Sequence, residues 1–500
     1  MCRENPHLPH RLPPIMIRAP LRFLTLVALA LPTGASRAAE PRQVTAQAFD
    51  ADPRWDGFRN RLKQERPQQS VQDFGYRSTN RAGGKAVGEI GGSVQRSSDA
   101  AFYAMTIRPK TLDDELHASG VLAVPAASGG SGVMIGWFAA PPLSWRTPNS
   151  LAFRIDGNGS SFWIFYEYGT SKWRTGGGGA FEGEEYQTTP TPPFPADGRP
   201  HRWSLDYDPA GAGGRGDINF HIDERQYRLE VAQEHRADGA RFDHFGIWNV
   251  QAPGDQLQLY LDDLVVDGQR FEFDVDPQWD SLRNKTQYTE RFVRPFHDFG
   301  FSRTNHAGGR PGEIGGIVFR DERPSYYAAP AGDLTLDDEL LATGRFSLNK
   351  AGSDSGVYIG WFNSAAKQAK SKSDSERPQS NYLAVLIEGP SRQGHYFRPA
   401  YGTRDGRGQI AGETSAAGRA WSLVHPDGRP HEFRMHYRPH ASGGRGAIEV
   451  TLDGAADSLE LRPIERAQGA TFDRFGIFNL QAGGHAVEIY FDDLSFTIGK

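Results

Sequence analysis

A block written twice constrains this chain more than any other feature. The stretch 73–103, DFGYRSTNRAGGKAVGEIGGSVQRSSDAAFY, returns at 298–327 as DFGFSRTNHAGGRPGEIGGIVFRDERPSYY. Glu89 and Glu313 hold the same place in it, 313 − 89 = 224 residues apart. The flanks keep step: Trp55 with Trp279, Leu112–Leu116 with Leu336–Leu340, Asp197–His201 with Asp427–His431, and Phe242–Asn249 with Phe472–Asn479. A period this long is a whole domain rather than a solenoid unit, so the repeat predicts two domains, 49–267 and 273–498.

The segment before them reads as an export signal. Arg18 and Arg22 precede the apolar run Phe23–Leu31, and Ser36-Arg37-Ala38 offers small residues at a peptidase spacing, with Met16 as the expected start. Residues 1–38 are therefore expected to be removed, giving a secreted or periplasmic protein with no membrane span, since the run is short for a spanning helix. The single cysteine, Cys2, falls in that segment. The mature chain then has no disulfide, and its stability must come from its cores.

The chain carries −5 and residues 1–38 hold five Arg against one Glu, so the mature net charge is near −5 − 4 = −9. That balance speaks against nucleic acid as a partner. The basic cluster Lys367–Lys372 sits among Ser, Asp and Glu and reads as a solvated loop.

Short apolar runs alternate with Gly, Pro, Asn and Asp turns throughout, and no stretch holds a helical period. The chain is predicted to be all-β, each copy a two-sheet sandwich. Period-two parity sends Ile90, Gly92 and Val94, with their counterparts Ile314, Gly316 and Val318, to the core, and Leu151, Phe153 and Ile155 likewise. Glu89 and Glu313 then point the other way, and Arg96 and Arg320 are expected at strand ends. Two irregular loops, Thr175–Ala196 and Asn363–Ser380, differ completely between the copies.

The strand order, the Phe-Gly-Ile-Trp/Phe-Asn segments and the closing Leu-Tyr-Leu-Asp-Asp-Leu264 and Ile-Tyr-Phe-Asp-Asp-Leu494 resemble the concanavalin A-like lectin/glucanase superfamily, which includes laminin-G-like modules. The resemblance covers each copy almost end to end. It implies two tandem jelly-roll β-sandwich domains that contact carbohydrate on a concave sheet. The carboxylate motif of its laminarinase-type hydrolases and the strand motifs of its alginate lyases are absent, so no enzyme chemistry carries over.

Parity assigns a sugar-binding composition to one face of each copy. In copy one the candidates are Glu89, Arg154, Asp156, Trp163 and Glu167, with Tyr103 nearby; in copy two, Glu313, Tyr358, Glu388, Tyr396 and Arg398. Aromatic planes suit the apolar face of a pyranose, and charged groups suit its hydroxyls. Glycan binding by tandem modules, which gain avidity from duplication, is the leading reading. A glycoside hydrolase would need paired carboxylates, Glu89 with Asp156 or Glu167, or Glu313 with Glu388. A uronate lyase would use titratable groups of copy two, His297, His306, Glu313, Arg320 and Tyr327. A structural or protein-binding sandwich is the third class. The pairs Asp262-Asp263 and Asp492-Asp493 invite structural calcium, which the resembled superfamily often holds, or else end an edge strand. The sequence has no zinc pattern, nucleophile elbow or dinucleotide fingerprint.

Overall fold

The computed structural model describes residues 43–62, 67–180, 194–294, 296–365, 380–412 and 421–499. The expected signal segment and the Lys367–Lys372 cluster lie outside the described residues. Alternating apolar residues form strands, every strand-to-strand ladder is antiparallel, and four sheets of eight or nine strands make two jelly-roll sandwiches. The all-β expectation is met.

In sandwich one, the sheet containing Glu89–Gln95 and Gln256–Val266 packs on the sheet containing Gly132–Phe138, Ser150–Gly157 and Ser161–Gly169. They are called here the Glu89 sheet and the Arg154 sheet. Sandwich two repeats the plan with a Glu313 sheet, built around Glu313–Phe319 and Ala486–Ile498, and an Arg398 sheet, built around Ser355–Phe362, Tyr382–Gly389 and His395–Gly402. Ile90, Val94, Leu151, Phe153 and Ile155 meet in one core, Ile314 and Val318 in the other, as parity requires. Thr175–Ala180, expected as loop, extends the Arg154 sheet by pairing with Ser161–Gly169. Its glycines bring no side chains that would prevent the pairing.

The segments that precede the two sequence repeats take unexpected places. Asp280–Leu282 and Lys285–Thr289, which open copy two in sequence, pair with Phe102–Thr111 and Gln69–Arg77 of sandwich one. The matching N-terminal segment joins sandwich two: Gln43–Gln47 pairs with Ala486–Ile498, Asp56–Phe58 with Tyr326–Thr335, and Arg61 bridges Asp298. In sandwich one the hairpin Gln256–Val266 to Gln269–Phe271 supplies the strand that Gln43–Gln47 supplies in sandwich two. Sequence bounds 49–267 and 273–498 follow the repeat; in space, residues 43–61 complete the second sandwich and residues 269–289 the first. The physical reason is burial. Trp55 packs against Phe49, Tyr327 and Phe496 in the second core, and Trp279 against Tyr103, Phe271 and Phe273 in the first.

Candidate functional site

Glu89 is fully buried, contrary to the expectation that it faces ligand. Its carboxylate accepts the Arg81 and Ala82 N–H groups, both at 2.8 Å, and the Thr79 hydroxyl. Glu313 does the same for His306 and Ala307 at 2.9 and 2.8 Å. Each closes the Gly-rich loop before it by satisfying backbone donors that burial would otherwise orphan. The loop also needs its glycines: a Cβ on Gly84 would stand 2.0 Å from Asp262 Oδ2, and one on Gly308 even closer to Asp492. Glu89 and Glu313 lie on different sheets from Asp156, Glu167 and Glu388, with a hydrophobic core between. The proposed hydrolase pairs therefore cannot flank one glycosidic bond.

The lyase candidates are also dispersed. His297 is fully buried, its Nδ1 accepting the Phe319 N–H at 3.3 Å, and burial lowers its pKa to about 4. Tyr327 is in the core of sandwich two, its hydroxyl on Asp52 at 3.3 Å, and burial foremost raises it to about 12. His306 is exposed, resting on Tyr490 at 4.5 Å. These groups share no cleft, since Tyr327 belongs to the sheet opposite Glu313. Tyr103 and Tyr358 are likewise unavailable as platforms. Tyr103 faces the first core and holds Asp276, while Tyr358 is fully buried against Tyr382 and Phe478 at 5.2 and 4.9 Å.

Asp262 and Asp492 are buried at a bulge whose next residue, Asp263 or Asp493, has a φ of 49°. Oδ1 of the first Asp accepts the N–H of the second at 2.7 Å in each copy. Burial foremost raises both buried acids to about 6. Among the described residues no group of three or more His, Cys, Asp or Glu is arranged to hold a metal, and the neighbouring glutamates already accept hydrogen bonds from loop donors.

What remains assembles on the outer face of the Arg154 sheet. Arg154 binds Asp156, two residues along its own strand, and its Nε lies 3.5 Å from Glu167 Oε1 on the neighbouring strand. The guanidinium covers the Phe165 ring at 4.4 Å, and Trp145 lies against both Arg154 and Arg96, at 5.4 and 4.9 Å. Arg96 follows its strand end as expected; burial lowers its pKa, with Asp156 opposing. Trp163 sits opposite Asp156 with a partly exposed ring. Arg154, Phe165, Glu167 and Trp145 border a recess also lined by Arg146, Tyr168, Gly176, Gly177 and Gly178.

The equivalent place in sandwich two keeps the charges and moves one of them. Glu388 Oε2 accepts Arg398 Nη2 at 2.5 Å, and Arg320 Nη1 lies 3.6 Å from Oε1. Arg398 also covers Tyr396 at 5.3 Å. Arg154 stands opposite Phe165, whereas Leu386 stands opposite Arg398, so the arginine has crossed from one strand to the next while an apolar residue crossed back. One acid between two arginines thus survives in both copies, Asp156 between Arg96 and Arg154, Glu388 between Arg320 and Arg398.

Neither a family model nor any curated protein matches the chain. Among solved structures, the chain is similar to domains LG4-5 of the mouse laminin alpha1 chain, at 11% identity and a TM-score of 0.25 over 82% of this chain and 89% of that one. It is similar to alginate lyase Aly36B at 12% and 0.26, covering 38% and 83%. It is similar to the Emp47p carbohydrate recognition domain at 16% and 0.25, covering 39% and 87%. Scores of this size carry no argument, and the jelly-roll architecture rests on the sheets described above.

Sequence reasoning found Arg154, Asp156, Trp163, Glu167, Glu388, Tyr396, Arg398 and, as a surrounding residue, Arg320. It missed Trp145 and Arg146, which lie in the loop between Gly132–Phe138 and Ser150–Gly157, where period-two parity has no purchase. A Trp-Arg pair in a Pro-rich connection was the available signal.

Proposed function

We propose that this is an exported, polysaccharide-recognising protein that binds glycan on the outer faces of the Arg154 and Arg398 sheets. The supporting observation is the Arg154 cluster: a guanidinium that orients two carboxylates beside the rings of Phe165, Trp145 and Trp163. Fixed carboxylate and guanidinium groups hydrogen-bond sugar hydroxyls, and a partly exposed indole stacks on the apolar side of a pyranose. No helix among the described residues is long and apolar enough to cross a membrane. Binding is favoured over the weighed lyase and hydrolase sets because Glu89, Glu313, His297 and Tyr327 are buried, and a core separates Glu89 from Asp156 and Glu167 and Glu313 from Glu388.

The test is affinity electrophoresis of the mature protein through gels containing neutral and acidic polysaccharides, with reducing ends and unsaturated-uronate absorbance followed in parallel. Retardation on at least one polymer without product release supports the reading. Product release would replace it with an enzyme, and no retardation on any polymer would remove it.

A further inference from the structure

The two repeats differ at the rungs of the sheet where the recess lies. Their shared Gly-Trp-Phe segments, 136–138 and 360–362, align the two outer faces rung by rung. Phe138 stands opposite Ser150, Ser150 opposite Gly169 and Gly169 opposite Thr175; the second repeat matches these with Phe362, Tyr382, Gly402 and Gly408. On the next rung of the same face, Ala152, Glu167 and Gly177 are matched by Ala384, Ala400 and Ile410. Ser150 therefore corresponds to Tyr382, and Gly177 to Ile410.

Both changes place bulk in the second repeat where the first has almost none. Tyr382 is fully buried, its ring centroid 5.2 Å from that of Tyr358 and 6.1 Å from that of Phe478, and Ile410 packs against the same cluster. In the first repeat Ser150 donates its hydroxyl to the Thr147 carbonyl at 2.7 Å, and both residues line the recess. Gly177 is exposed on the edge strand and lines it too. Its neighbours fix its direction. A Cβ on Gly176 would stand 2.5 Å from the Tyr168 hydroxyl and one on Gly178 2.6 Å from the Tyr166 ring, both rings of the core, so a side chain at 177 would point outward into the recess.

A phenol ring and a branched alkyl group thus stand, in one repeat, at positions where the other carries a hydroxymethyl group and a hydrogen. The surroundings change with them: Ala400 gives way to the Glu167 carboxylate and Leu386 to the Arg154 guanidinium. The Tyr382 ring packs among apolar side chains, whereas a ring seated beside Ser150, Glu167 and Trp145 needs hydroxyls on its edge and an apolar face. We infer that the recess of sandwich one seats a single pyranose unit where sandwich two places the Tyr382 ring, and that Ser150 and Gly177 are the positions that decide it. Sandwich two, with Tyr382 and Ile410 at those positions, is left with contacts to Glu388, Tyr396 and Arg398. This inference rests on the glycan-binding reading and names the unit that the site holds.

The experiment is affinity electrophoresis of the full mature protein and its Gly177→Ala and Gly177→Ile variants through gels holding a neutral glucan, a galactomannan or a polyuronate, with the methyl pyranosides of the same sugars as competitors. Alanine adds only the Cβ that meets Glu167 Cβ at 3.1 Å, and isoleucine adds the remainder of the branch, so the difference between the variants isolates filling of the recess. At least one polymer should retard the unaltered protein, and its methyl pyranoside in excess should reduce the retardation. Gly177→Ala should bind within about twofold of the unaltered protein and Gly177→Ile about tenfold or more weaker, with thermal midpoints alike. Equal binding by Gly177→Ile and the unaltered protein, an equal loss in both variants, or retardation that no methyl pyranoside reduces would overturn the inference while leaving glycan binding in place. Retardation by none of the polymers would overturn both.

Discussion

Trp55 rests against Tyr327 with ring centroids 5.9 Å apart, and Trp279 rests against Tyr103 at 5.7 Å. Trp55 and Trp279 are repeat equivalents, as are Tyr103 and Tyr327, yet each tryptophan packs on the tyrosine of the other copy. The N-terminal arm is therefore part of the second sandwich's core, and its removal should be felt there.

Trp55→Ala is expected to cost about 3–5 kcal/mol, the range for deleting a buried aromatic side chain. Limited proteolysis read by mass spectrometry should show new cleavage within 298–498 while 69–289 stays protected. Trp279→Ala should give the reverse pattern. Cleavage confined to 69–289 in Trp55→Ala would contradict the arm's placement.

Glu89→Gln should lower stability by about 1–3 kcal/mol, because the amide turns an N–H₂ group toward donors that the carboxylate satisfied on both oxygens. Glycan affinity should be unaltered, since the Arg154 recess is on the opposite sheet. Urea unfolding and affinity electrophoresis on the same samples separate the two effects.

Trp145→Ala should weaken glycan retention roughly tenfold, the loss of about 1 kcal/mol of aromatic contact together with the surface that holds Arg96 and Arg154 in place. Retention indistinguishable from the unaltered protein would move the binding face elsewhere.

Buried histidines and buried acids act on stability in opposite directions as pH falls. Burial foremost lowers His297 to about 4 and His395 to about 3, so below pH 6.5 the unfolded chain takes up their protons first and stability is lost progressively down to those values. Asp262 and Asp492, raised to about 6, bind protons first in the folded chain, so their contribution grows as pH falls from about 6 toward 4. His297→Asn with His395→Gln puts a neutral amide near the ring nitrogens that contact the Phe319 N–H and the Ser355 hydroxyl. The unfolding free energy of that double variant, from urea titration, should fall less between pH 6.5 and 4 than that of the unaltered protein, by about 3–5 kcal/mol in total.

The fold was legible because period-two alternation survives wherever a strand covers a core. Ile90 and Val94, or Leu151, Phe153 and Ile155, could hardly face elsewhere. Parity also grouped Arg154 with Asp156 and placed Glu167 on the outward face of the next strand. It could not tell which sheet a strand joins, and so it set Glu89 beside Arg154 although a core separates them. Retention of Glu89 and Glu313 in both copies reflected a duty in loop closure.

The arm has a consequence for how the molecule comes into being on the ribosome. Gln43–Gln47 precedes the other described strands in the sequence, yet its ladder partner is Leu494–Ile498. That strand cannot make this ladder until almost the whole of the described chain has been synthesised. Sandwich one, continuous from 69 to 289, can close on its own during that interval, while sandwich two can only be finished by reaching back past all of sandwich one to Gln43–Gln47.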